Sequence, residues 1–124
     1  MALTVRLAAL LCLASALSFA GIWTGALVDS KCYAREERNV NPTDTMTYVD
    51  RDRNLEIRFC SPLAKTKSFA VVQADGTIVT LDSAGNVKAA ELVRAIGKQS
   101  RLAVEVTGAL SKDTISVDSI ALAK

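Results

Sequence analysis

Three cysteines, two acidic clusters and a scatter of lysines and arginines are the residues of this sequence that could do chemistry. There is no histidine. That removes the base of the usual Ser-His-Asp and Cys-His arrangements and the commonest partner of cysteine at zinc. A serine with a lysine base stays formally open, but no Ser-x-x-Lys motif sits on an expected helix. Glu36-Glu37 and Asp50 with Asp52 could supply the paired carboxylates of a glycosidase. Arg35 and Arg38 flank the first pair, and Arg51 and Arg53 interleave the second. A solvated loop of local ion pairs, each worth about 0–1 kcal/mol, is the simpler reading. Calcium at Asp44, Asp50 and Asp52 is a weaker alternative, because their spacing matches no EF-hand loop. The glycines make no phosphate cradle. The reading assigns no catalytic residue, no metal and no cofactor.

The cysteines bring in the compartment. Leu7 to Leu17 is an apolar run of h-region length, preceded by Arg6 and closed by Ser18-Phe19-Ala20. It is too short to span a bilayer, which takes about 20 apolar residues. Residues 1–20 are therefore read as a signal peptide cut between Ala20 and Gly21, with an uncleaved anchor as the alternative. Cys12 lies within the apolar run behind Leu11, which is not the small residue a lipobox needs. Membrane contact is expected only through the leader before cleavage, and the product is expected to be periplasmic or secreted. Loss of Arg6 lowers the net charge from +2 to +1, so nothing steers the domain to nucleic acid. Cys32 and Cys60 remain. An even count in a small exported domain is most simply a disulfide, closing a loop of about 28 residues worth on the order of 3–4 kcal/mol. A reactive or metal-binding thiol pair is the alternative, although the gap is far longer than Cys-x-x-Cys.

The elements that must position these residues fall within one domain, 21–124. Gly21 to Asp29 is apolar enough for a strand, with Gly25 marking a bend or a close backbone approach. Residues 30–54 are charged and turn-rich, broken at Asn41-Pro42, and give a long loop closed by the disulfide over 30–60. Leu55, Ile57 and Phe59 alternate with Glu56 and Arg58, which predicts a short strand into Cys60. Asp75-Gly76 between two β-prone runs predicts a hairpin. Asp82 to Val87 reads as a turn. Ala89, Leu92, Val93 and Ile96 then fall on one face of a helix, with Asn86 as its N-cap and Gly97 just past its end. Leu102, Val104 and Val106 alternate as a half-buried strand. After Ser111-Lys112-Asp113, a last strand slips phase between Val117 and Ile120, which suggests a bulge.

The expected class is mainly β with one helix, in the order β-loop-β-β-α-β-β. That is the order of a small OB-like five-stranded barrel. Such barrels often bind ligands beside the long first loop. Trp23, Lys31, Tyr33, Arg35, Tyr48 and Arg58 are the candidates to stack on and grip a ligand there.

Four stretches carry a further likeness: Trp23 to Tyr33 (W-T-G-A-L-V-D-S-K-C-Y), Cys60 to Gly76 (C-S-P-L-A-K-T-K-S-F-A-V-V-Q-A-D-G), Leu81 to Ala90 (L-D-S-A-G-N-V-K-A-A) and Val106 to Ile120 (V-T-G-A-L-S-K-D-T-I-S-V-D-S-I). Together they resemble a family of small exported bacterial proteins of unknown function. The resemblance implies an exported OB-like domain with Cys32 and Cys60 paired, and carries over no catalytic residue. Many members carry more cysteines before the hairpin, where this chain has its charged insert. The function expected is a non-enzymatic binding or envelope structural module, with a small molecule, a glycan or an envelope protein as partner. The alternative is a small secreted hydrolase or thiol-redox protein with its site in residues 31–60.

Overall fold

One long strand organises the fold of the computed structural model, which describes residues 19–38 and 49–124. β1 (Phe19–Asp29) pairs antiparallel with β4 (Leu102–Ser111) as far as Leu27, and with β2 (Phe69–Val72) from Ala26 onward. Gly25 stands just before the second pairing begins. A Cβ there would run into the Val72 carbonyl, so the close backbone approach expected at this glycine is present. β2 turns into β3 (Ile78–Leu81), which pairs in parallel with β5 (Thr114–Leu122). β5 pairs antiparallel with β4, and the barrel closes in the order β1-β2-β3-β5-β4.

The local chemistry explains most of these elements. Gly76 has φ 88° at the tip of the β2–β3 hairpin, and the Asp75 carboxylate accepts from the Thr77 amide at 2.9 Å. The phase slip in the last strand is a bulge: Thr107 faces Ser119 and Gly108 faces Val117, leaving Asp118 unmatched. The helix between β3 and β4, α3 (Ser83–Ile96), begins earlier than the periodicity predicts. Asp82 is its N-cap, accepting from the Gly85 amide at 2.9 Å. The segment read as a turn from Asp82 is thus a cap and a first helical turn. Asn86, expected as the cap, instead accepts from the Phe69 amide at 3.0 Å and ties α3 to β2. Gly97, with φ 83°, ends the helix as expected.

The mainly-β barrel stands, but among the described residues it carries three helices rather than one. The stretch read as a long loop holds α1 (Ser30–Arg38) and α2 (Val49–Phe59). The strand expected over Leu55, Ile57 and Phe59 is the last part of α2. Only Ile57 of the three is buried, while Leu55 and Phe59, four apart on one helix face, are exposed. Residues 52, 53, 56, 57 and 60 are the ones turned away from solvent, which is a helical spacing.

Two apolar clusters result. Leu27, Phe69, Val71, Leu81, Val104, Val106 and Ile115 fill the barrel, with Ala89 and Val93 of α3 joining them. The second lies outside the barrel wall, where Ala26, Val28, Ala70 and Val72 meet Tyr33 of α1, Ile57 of α2 and Cys60. Most of the expected leader, with Cys12, lies outside the described residues, as do Asn41-Pro42, Asp44 and Tyr48. Ala20 and Gly21 are in β1, opposite Ala109 and Gly108. Among the described residues no helix is long and apolar enough to cross a membrane.

Candidate functional site

Asp29, the last residue of β1, lies at the centre of a polar junction. Its Oδ1 accepts from the amides of Lys31 and Cys32, both at 3.1 Å, and so caps α1. Its Oδ2 accepts from the Thr66 hydroxyl at 3.2 Å. The Thr66 hydroxyl in turn accepts from the Leu63 amide at 3.0 Å, which fixes a tight turn over 63–66. The Ser30 amide donates to the Ser68 carbonyl at 3.0 Å, and the Ser30 hydroxyl to the Ser68 hydroxyl at 2.9 Å. Cys32 and Cys60 are disulfide-bonded, with Cα atoms 5.5 Å apart, holding α1 to the end of α2.

This frame puts Thr66 inward and its neighbours outward. Thr66 is buried, whereas Lys65 and Lys67 are exposed on either side of it. They face Lys31 and Arg35 of α1 across a cleft of about 250 Å³, whose walls also include Asp29, Cys32, Thr66 and Ser68. Four cations thus surround one carboxylate, and that carboxylate already accepts three hydrogen bonds. None of the four cations has a carboxylate partner among the described residues. Like charges held together at a half-open surface repel one another, so a bound anion lowers the energy of the arrangement.

The structure brings together some of the residues expected to bind and separates others. Lys31 and Arg35 line the cleft. Tyr33, on the same helix, is 2 % exposed and packs in the second apolar cluster. Burial, and then the charge of Glu37, hold its hydroxyl well above the usual range. Trp23 packs against the barrel cluster and covers Gly21. Arg58 is exposed on α2 and is not a wall of the cleft. Tyr48 lies outside the described residues. Lys65, Thr66 and Lys67, and Asp29 as their organiser, were not among the expected positions. The alternation Lys-Thr-Lys just before a strand was the available signal.

The acidic residues of α1 and α2 form a separate cluster. Burial, together with a hydrogen bond and charge from Glu37 and the charges of Glu36 and Asp52, pushes the Glu56 carboxyl up to about 7. The protonated Glu56 carboxyl is thus held within hydrogen-bonding reach of Glu37. Among the described residues no group of three ligating side chains could hold a metal ion.

The disulfide is asymmetric. Cys32 borders the cleft, whereas Cys60 is 1 % exposed within the second apolar cluster. A thiolate arriving from solvent meets the Cys32 sulfur and must expel Cys60 as a thiolate into apolar surroundings. Such surroundings raise a thiol's pKa and make it a poor leaving group.

No protein family, no curated protein and no solved structure matches this chain.

Proposed function

We propose that this protein is a small exported binding module, an OB-like barrel that holds an anionic group in the cleft between α1 and the 63–68 segment and does no chemistry on it. The observation that carries this reading is the convergence of Lys31, Arg35, Lys65 and Lys67 on one cleft with a single committed carboxylate among them. The strand order, with α3 between β3 and β4, supports the OB-like reading, and the cleft lies on the β1–β2 connection that such barrels use for ligands. A stabilising disulfide in so small a domain supports an oxidising compartment. The poor leaving group at Cys60 favours a structural bond over the thiol-redox alternative.

The test is titration with inorganic phosphate, followed by amide NMR. Shifts are expected at Lys31, Cys32 and Lys65 to Ser68, with a Kd near the millimolar level that a few ion pairs give, about 1 mM. The double variant Lys65→Ala/Lys67→Ala, altered only at exposed side chains, should bind about tenfold more weakly, the loss of roughly 1.4 kcal/mol. Absence of shifts at these amides in the native protein would overturn the reading.

A further inference from the structure

The cationic wall has two sides. Behind Lys65, Thr66 and Lys67, toward α3, lies a second depression of about 430 Å³ that shares these three residues with the first. Its far side is lined by Ser83, Asn86, Val87, Ala90 and Arg94 of α3, with Ala64 on the near side beside the lysines. No acidic residue lines it. Arg94 is exposed and, like the four cations of the first cleft, has no carboxylate partner among the described residues. A lone anion has no use for this continuation, because the first cleft already surrounds it with charge.

We propose that the two depressions form one groove for a linear polyanion, a chain with recurring phosphate, sulfate or carboxylate groups. One group lies among Lys31, Arg35, Lys65 and Lys67, and a following group lies between Lys67 and Arg94. This rests on the single-anion reading above and extends it from a group to a polymer. The Lys-Thr-Lys wall presents positive charge to both sides, so the chain crosses it without meeting an acidic barrier. The uncharged stretch between its anionic groups passes over Val87 and Ala90. No aromatic residue lines either depression. Proteins that hold single-stranded nucleic acid combine a basic groove with aromatic platforms for the bases, and this groove has only the first of those parts. The grip is therefore on charge spacing.

Charge-based binding of a polymer has a measurable signature. Each ion pair formed releases condensed counterions, so the slope of log K against log salt counts the contacts. The experiment is calorimetric titration of the full mature chain with inorganic phosphate, inorganic polyphosphate and a sulfated heparin oligosaccharide, over about 50–200 mM salt. At least one polymer should bind more tightly than phosphate and show a steeper slope. Arg94→Ala should weaken that polymer several-fold and reduce the magnitude of its slope by about one contact's worth, roughly 0.7, while phosphate binding stays unchanged. Arg94→Lys should restore the slope. Comparing the two polymers tells a phosphate chain from a sulfated glycan. Binding of phosphate with no gain for either polymer, or an Arg94→Ala variant identical to the native protein, would overturn the groove and leave the single-anion cleft standing. Failure of phosphate and both polymers together would remove the cleft as well. Tighter binding of a single-stranded oligonucleotide than of either polymer would overturn the choice of ligand class.

Discussion

The inside of the barrel and the layer beneath α1 and α2 are built from the same strands, but they are held by different means. Along β1 and β2, Leu27, Phe69 and Val71 point into the barrel, while Ala26, Val28, Ala70 and Val72 point outward under the helices. The inner face is closed by backbone pairing all the way round and filled from all five strands and α3. Among the described residues, the outer face receives one large buried side chain from each helix, Tyr33 and Ile57. Two such side chains bury little apolar surface for two helices. Covalent and polar ties take over: the Cys32–Cys60 bond, Asp29 with Thr66, Ser30 with Ser68, and Arg53 donating to the Ala74 carbonyl at 3.1 Å. The barrel is a scaffold held by packing. The helical layer is held at points, and the fastenings at Asp29, Cys32, Thr66 and Ser68 are also walls of the cleft.

The comparison breaks or sharpens under three changes, from the largest expected effect to the smallest. Phe69→Ala empties the centre of the barrel and should cost about 3–5 kcal/mol in denaturant melts, with both regions unfolding together. A barrel that tolerated it would not be the scaffold. Cys32→Ser should cost about 3–4 kcal/mol, and its effect should be uneven. Hydrogen exchange should rise first in α1 and α2, while β4 and β5 keep their protection. Equal loss in all elements would mean that the disulfide braces the whole domain and that the two regions are one. The smallest effect is a pH dependence confined to the helical layer. Because Glu56 is raised to about 7 in the folded protein from an ordinary value near 4.5, the folded state binds the extra proton. Stability is full below about 4.5 and declines as pH rises through 7, where ionised Glu56 faces Glu37. The native thermal midpoint should fall by a few degrees, about 2–5 °C, between pH 5 and 8. Glu56→Gln should remove most of that slope, and an unchanged slope would place the titration elsewhere.

The same division governs what the sequence discloses. The barrel is legible because a half-buried strand writes its faces in alternate residues: Leu102, Val104 and Val106, then Ile115 and Val117 up to the slip at Asp118. Asp75-Gly76 marks its own turn. The helical layer is written in polar residues. Among the described residues, the shielded face of α2 carries Asp52, Arg53, Glu56 and Ile57, continued by Cys60 just beyond its end, so a search for apolar periodicity meets only the accidental alternation of Leu55, Ile57 and Phe59. The early start of α3 is hidden for a similar reason, since Asp82 and Gly85 look like turn residues and act as a cap and a close-packed first turn. The cleft is half legible. Lys31 and Arg35 stand out within the charged stretch, but Lys65 and Lys67 come after Cys60, beyond the end of that stretch. Only the fold carries the chain back to Asp29 and makes the four cations neighbours.

The pairing of β1 with two strands of very different chain position sets an order of events. In a chain made from its N-terminus, Cys32 and Cys60 are both present long before Leu102–Ser111, the partner of the first part of β1, has been added. One edge of β1 therefore stays open until most of the chain exists, and the barrel cannot close early. The covalent loop can form while that edge still waits. Closure of the barrel therefore waits on the β4–β5 hairpin, which brings the partner of the first part of β1.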